Sequence, residues 1–213
     1  MFVKICGITN IHAAYACVKN EADAIGLNFY PESKRFISFA DAAAIVREVS
    51  PYITMVGVMV QPTMDDITEA IDKAEVDALQ IYEPKFEIAE FDFKKLLYYS
   101  ARIKTAQDVK AASLVNADVI FLDSFIQGEF GGTGQKGNWK EIARSGVDLS
   151  MRFVLSGGLT SENVCDAIRE LKPYGVDTAS GVESSPGKKD REKIRRFISN
   201  AKQCHYGADG KHK

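Results

Sequence analysis

Four cysteines in 213 residues, at Cys6, Cys17, Cys165 and Cys204, are too scattered to form a CxxC pair. That argues against a zinc site and against the disulfide-dense frame of a small secreted domain. Free thiols in a reducing compartment are expected, and with them a cytoplasmic protein. A charge of one sign is also missing, since 27 Lys+Arg against 29 Asp+Glu leave a formal net charge of -2. There is no basic excess to hold a polyanion, so nucleic acid is not an expected partner, and no acidic block to solvate a disordered chain. No window approaches the roughly 20 consecutive apolar residues that span a bilayer, and no apolar stretch follows a basic start, so no membrane partner is expected. The six prolines are dispersed and the glycines sit in short loops, so nothing reads as an interdomain linker. The three histidines, His12, His205 and His212, lack ligand spacing, and no metal is expected.

What the chain does have is 46% apolar residues, arranged in short runs rich in branched side chains. Strands are predicted at Phe2 to Cys6, Ala24 to Phe29, Thr54 to Val60, Val76 to Ile81, Ala101 to Lys104, Val119 to Asp123, Phe153 to Ser156 and Val176 to Ser180. Helical spacing lies between them, for example over Ala40 to Val49, Met64 to Lys73, Ala106 to Leu114, Ser161 to Leu171 and Asp190 to Lys202. Continuous apolar strands alternating with helices are the pattern of parallel βαβ units. About eight such units in roughly 200 residues favour closure, so the fold class expected is α/β, a single-domain (β/α)8 TIM barrel over residues 1–203. Residues 204–213 (CHYGADGKHK) read as a polar, disordered tail. A doubly wound nucleotide fold would show GxGxxG after an early strand, where this chain has Cys6-Gly7-Ile8-Thr9.

In a barrel of this kind the chemistry sits at the C-terminal strand ends and the loops that follow them. Strand one ends in Lys4-Ile5-Cys6-Gly7 and strand six in Leu122-Asp123-Ser124, so Cys6 and Asp123 are expected to face each other across the mouth as base and acid. Gly157-Gly158, before a helix that Thr160 or Ser161 could cap, and Ser180-Gly181 offer bare amides at the two strand ends where this fold usually holds a phosphate. The long segment Phe125 to Asn138, with Gly132, Thr133 and Gly134, is read as a lid that lends further amides. Arg35, after strand two, could take a carboxylate with its planar fork.

The segments Lys4-Ile5-Cys6-Gly7-Ile8-Thr9, Ser33-Lys34-Arg35-Phe36-Ile37-Ser38, Gly131-Gly132-Thr133-Gly134, Ser156-Gly157-Gly158-Leu159 and Ser180-Gly181-Val182-Glu183, in that order, closely resemble phosphoribosylanthranilate isomerase of tryptophan biosynthesis. The resemblance implies an Amadori rearrangement of N-(5-phosphoribosyl)anthranilate without metal or organic cofactor, in a monomer or homodimer. It puts Asp123 on the furanose ring oxygen as acid and Cys6 on the sugar C2 proton as base. Arg35 falls on the anthranilate carboxylate, and Gly132, Thr133, Gly134, Gly157, Gly158, Ser180 and Gly181 on the phosphate. Gln80 and Asp177 join the substrate-binding set, Asp177 toward the sugar or the anthranilate amine. Two departures stand out: Gln80-Ile81-Tyr82-Glu83 replaces Gln-Leu-His-Gly, and Asn138-Trp139 replaces Asp-Trp. The alternatives are another phosphosugar isomerase on the same fold and a non-catalytic sensor of a phosphosugar.

Overall fold

Eight strands pair in chain order and all in parallel: β1 (Phe2–Cys6), β2 (Ala24–Asn28), β3 (Thr54–Val60), β4 (Ala78–Tyr82), β5 (Leu96–Arg102), β6 (Val119–Asp123), β7 (Phe153–Ser156) and β8 (Gly175–Thr178). β8 returns to β1, with Lys4 opposite Asp177, and the barrel is closed. The computed structural model describes residues 1–88, 95–124, 138–150 and 152–208. Outside the strands lie α1 (Ile11–Lys19), α2 (Phe39–Val49), α3 (Met64–Ala74), α4 (Ala106–Ser113), α5 (Trp139–Arg144), α6 (Val164–Leu171) and α7 (Arg191–Ala208). Among the described residues no helix is long and apolar enough to cross a membrane.

The strands read as unbroken apolar runs because both of their faces are covered. Alternate residues such as Ile5, Ile25, Leu79, Ile81, Ile120 and Leu122 pack under the helices. Their neighbours Ala24, Val56, Val58, Ala78, Tyr98, Phe121 and Val154 fill the barrel interior. The N-terminal ends are pinned by a recurring device. Asp23, Asp77 and Asp118 each stand just before an even-numbered strand and accept a 2.8 Å hydrogen bond from the N–H of Val3, Met55 or Leu97 on the preceding strand. Helix starts are capped locally: Ser38 accepts from the Asp41 N–H, and Thr63 and Asp66 form a reciprocal box.

Four expectations need correction. The fifth strand is Leu96–Arg102 rather than Ala101 to Lys104; its two tyrosines break an apolar reading, yet Tyr98 faces the interior and stacks on Phe121. α6 begins at Val164, with Asn163 at its cap position, so neither Thr160 nor Ser161 starts it. Instead the Asn163 side chain accepts from the Thr160 N–H and donates to the Gly158 carbonyl, folding that segment into a turn. α7 continues to Ala208, so the start of the expected tail is helical, and residues 209–213 lie outside the described residues. Finally, Cys165 and Cys204 are joined as a disulfide, 39 residues apart in sequence, while Cys6 and Cys17 are free and buried. Sequence spacing carries no sign of that bond, because it arises from α6 and α7 packing side by side.

Candidate active site

A cavity of about 820 Å³ opens at the C-terminal strand ends. Cys6 from β1, Tyr82 from β4, Asp123 from β6 and Asp177 from β8 line it, with Arg35 from the loop after β2. Gly157, Gly158, Ser180 and Gly181 line it too, so eight of the residues expected from sequence converge on one space. Gln80 is not among the lining residues. It lies fully buried in the barrel interior, its Nε2 donating to Ser100 Oγ at 2.8 Å and its Oε1 without a partner among the described residues. Gly132, Thr133 and Gly134 lie outside the described residues.

The glycine ends of β7 and β8 are glycine for different reasons. Gly157 and Gly158 have φ of 89° and 70°, in the region that side chains rarely adopt. At Gly181 the reason is space, since a β-carbon there would stand 1.9 Å from the Leu159 carbonyl oxygen. Ser124 Oγ donates to the Ser156 carbonyl, tying the end of β6 to the end of β7.

Three charged residues to which sequence reasoning gave no role complete the site. Lys4, fully buried, donates from Nζ to Asp177 Oδ1 at 2.9 Å and sits 5.1 Å from the centre of the Phe121 ring. Glu183 opens the hairpin β9 (Glu183–Ser185) and β10 (Lys188–Lys189), and its two oxygens accept from Arg35 Nε and Nη2, both at 2.7 Å. Lys189 Nζ donates to the same carboxylate and to the Ala179 carbonyl, each at 2.8 Å. The fork of Arg35 that the sequence suggested for a ligand is thus already filled by Glu183. A signal for Lys4 existed: it is two residues before Cys6 on an apolar strand, so it shares that strand's inward face and must be paired there.

The electrostatics follow from burial. Burial pushes the Cys6 thiol above its ordinary value; Asp177 adds to the rise, while Lys4 and Lys189 oppose it without cancelling it. That shift favours the thiol over the thiolate that a base requires. Burial presses the Lys4 ammonium down, but Asp177 and Cys6 outweigh it and hold the amine above its usual value. Glu183 is likewise pushed up by burial and then held below the usual carboxylate range by Arg35 and Lys189. Tyr82 stays a neutral phenol, raised by burial and by Asp123, Asp177 and Cys6.

Glu83, the second residue of the Tyr82-Glu83 departure, has a φ of 48°. A glycine would enter that conformation freely, and a side chain there costs about 1–3 kcal/mol. Its carboxylate accepts from Gln61 Nε2 at 3.0 Å and pairs with Arg102 Nη1 at 3.5 Å, which draws the charge off to the rim. Asn138 stands at the cap position of α5 but donates its side chain to the Ile103 carbonyl instead of capping.

Known proteins match this arrangement along most of the chain. The family model of N-(5'phosphoribosyl)anthranilate (PRA) isomerase matches residues 3–200. An N-(5'-phosphoribosyl)anthranilate isomerase of Pseudomonas syringae pv. tomato is 39% identical over 198 residues, 92% of this chain and 95% of the relative. The crystal structure of phosphoribosyl anthranilate isomerase from Thermotoga maritima superposes with a TM-score of 0.82 at 36% identity, covering 95% of this chain and 99% of its own. A further crystal structure of a phosphoribosyl anthranilate isomerase, in complex with reduced 1-(o-carboxyphenylamino)-1-deoxyribulose 5-phosphate, has a TM-score of 0.76 at 35% identity over 95% of this chain and 99% of its own.

Proposed function

The chain belongs to the N-(5'-phosphoribosyl)anthranilate isomerase family, and we propose that Cys6 and Asp123 carry the proton transfers of its reaction. That reaction, a step of tryptophan biosynthesis, is the Amadori rearrangement of N-(5'-phosphoribosyl)anthranilate to 1-(2-carboxyphenylamino)-1-deoxyribulose 5-phosphate. The observation that carries the assignment is the convergence of Cys6, Asp123, Asp177, Arg35 and the two glycine ends on one cavity.

Asp123 gives its proton to the furanose ring oxygen; the C1–O bond breaks, and the nitrogen lone pair forms a protonated imine at C1. Cys6, as thiolate, takes the proton from C2, and the C2 electrons form the C1–C2 double bond of an enolamine as the nitrogen regains its pair. Tautomerisation moves the enol proton to C1 and leaves the C2 ketone. Each positioned proton transfer is worth about 10²–10⁴ in rate. The enzyme ends with a thiol and a carboxylate, one proton shared between two groups. The state that starts the next turnover, thiolate with protonated Asp123, has the same total charge. Because burial favours the thiol, the reactive arrangement is the minor one of the pair.

The amides of Gly157, Gly158, Ser180 and Gly181 hold the phosphate. Asp177, already bonded to Lys4, presents its other oxygen to the sugar or the anthranilate amine. Arg35 meets the anthranilate carboxylate through Nη1, the edge that Glu183 does not use. All these groups come from one chain, so the reading holds for a monomer and for each copy in a homodimer. A cytoplasmic site of action goes with the biosynthetic role, although a disulfide such as Cys165–Cys204 is seldom retained in a reducing compartment.

The test generates the substrate in place from anthranilate and phosphoribosyl pyrophosphate with a separate transferase and follows loss of its fluorescence. Adding this protein should speed that loss in proportion to its concentration; no acceleration by folded protein would end the reading. Arg35→Ala is expected to raise KM by tenfold or more, on the order of one charge-assisted hydrogen bond, with kcat changed less. Glu183→Gln should raise KM in the same direction, because an amide loosens the bidentate grip on the guanidinium. An unchanged KM in Arg35→Ala would remove Arg35 from the site.

A further inference from the structure

Lys4 is a charged group at the centre of the barrel that the proton transfers above do not use. Among the neighbours of its ammonium are Asp177 Oδ1 at 2.9 Å, the face of Phe121, and the sulfur of Cys6. The last contact is made possible by Gly26 on β2. A β-carbon at Gly26 would stand 2.8 Å from Cys6 Sγ and 3.1 Å from Lys4 Nζ, so thiol and ammonium occupy together the space that a side chain would take. Lys4 has no solvent exposure and Cys6 only 9%, so little water screens one from the other.

From this packing we propose that Lys4 is a positioning residue for the isomerisation, acting through Cys6 by supplying the fixed counter-charge to its thiolate. The inference rests on the reading of Cys6 as the base. Other charges also face the thiol. Asp177 from β8 opposes the thiolate, and Lys189 from β10 favours it from beneath its own pairing with Glu183. Arg35, Tyr82 and Asp123 approach from the loop after β2, from β4 and from β6. Lys189 and Arg35 both donate to Glu183, whereas the ammonium of Lys4 is bonded to Asp177 and packs beside Cys6 in the space that Gly26 leaves. Asp177 keeps Lys4 charged in a dry place, and Lys4 in turn lowers the cost of charging Cys6.

The consequence is measurable without substrate. Cys17 has no exposure and Cys165 is bonded to Cys204, so in the folded protein iodoacetamide reaches Cys6, with Cys6→Ala as the blank. Alkylation rate against pH then gives the midpoint at which Cys6 ionises. Lys4→Met is expected to raise that midpoint by about one unit or more. Asp177→Asn should lower it, since a repelling charge is gone. Lys4→Met/Asp177→Asn, which buries no unpaired charge and so folds if the single variant does not, should raise it by less than Lys4→Met alone. A midpoint in the double variant equal to or below that of the parent protein overturns the proposal.

The second readout is the pH profile of kcat/KM. With one proton shared by Cys6 and Asp123, the alkaline limb follows the thiol. Each unit by which Lys4→Met raises Cys6 should shift that limb up by one unit and lower the plateau tenfold. In the double variant the position of the limb is read rather than its height, because Asp177 also meets the substrate. Limb and midpoint moving together support the proposal. A midpoint that moves while the limb stays overturns instead the reading of Cys6 as the base, leaving the coupling of Lys4 to the thiol intact.

Discussion

Replacing Asp123 with asparagine is expected to lower kcat by about 10²–10⁴-fold while changing product affinity by less than tenfold. Asparagine keeps the size of the side chain and its place at the end of β6, where Asp123 pairs in register with Ser156, but an amide has no proton to give to a ring oxygen. Ring opening then has no positioned acid and depends on solvent water. The charge change acts in the same direction: without the shared proton, a thiolate at Cys6 no longer has a protonated partner from which the reaction starts. The measurement is steady-state turnover with substrate made in place, beside titration of the product on the same preparation. Equal losses in turnover and product binding would mean that Asp123 holds the substrate rather than protonating it.

Cys6→Ser should be nearly as costly, again about 10²–10⁴ in kcat. The change conserves shape in a buried position, so the fold is left as it is and the comparison isolates acidity. A thiol pushed up by burial can still ionise beside Lys4 and Lys189, whereas an alcohol in the same place cannot within any working pH range. If the serine variant kept most of its activity, proton removal from C2 would have to be assigned elsewhere, with Asp177, the carboxylate whose charge acts on Cys6, as the first candidate. Thermal unfolding of the variant should lie close to that of the parent protein, which separates this result from misfolding.

Much of the fold was legible in the residue order, and the failures have local causes. The eight strands were found from apolar runs because an all-parallel barrel buries both faces of each strand. The fifth was displaced because Tyr98 and Tyr99 look amphipathic, and only the closed interior shows that one of them packs on Phe121. The caps Ser38 and Thr63 act through bonds three residues long, a distance that sequence displays directly. The caps Asp23, Asp77 and Asp118 act across strands twenty or more residues apart and could not be read that way.

The candidate site divides along the same line. Cys6, Asp123 and the glycine pairs were accessible because each is marked by position at a strand end or by the backbone freedom of glycine, both properties of a short stretch of chain; Asp177 came only from the family resemblance. What Arg35 grips, which lysine stands under Cys6, why Gln80 stays out of the cavity and which cysteines are joined all depend on residues distant in sequence. Arg35 and Glu183 are 148 residues apart, and Lys4 and Asp177 are 173 apart. The order of residues by itself determined the barrel, the end of it that carries chemistry and the family to which the chain belongs. Tertiary structure alone decided the pairing of charges inside that end, because closing β8 onto β1 is what brings Asp177 to Lys4, and burial there makes each partner's state depend on the other.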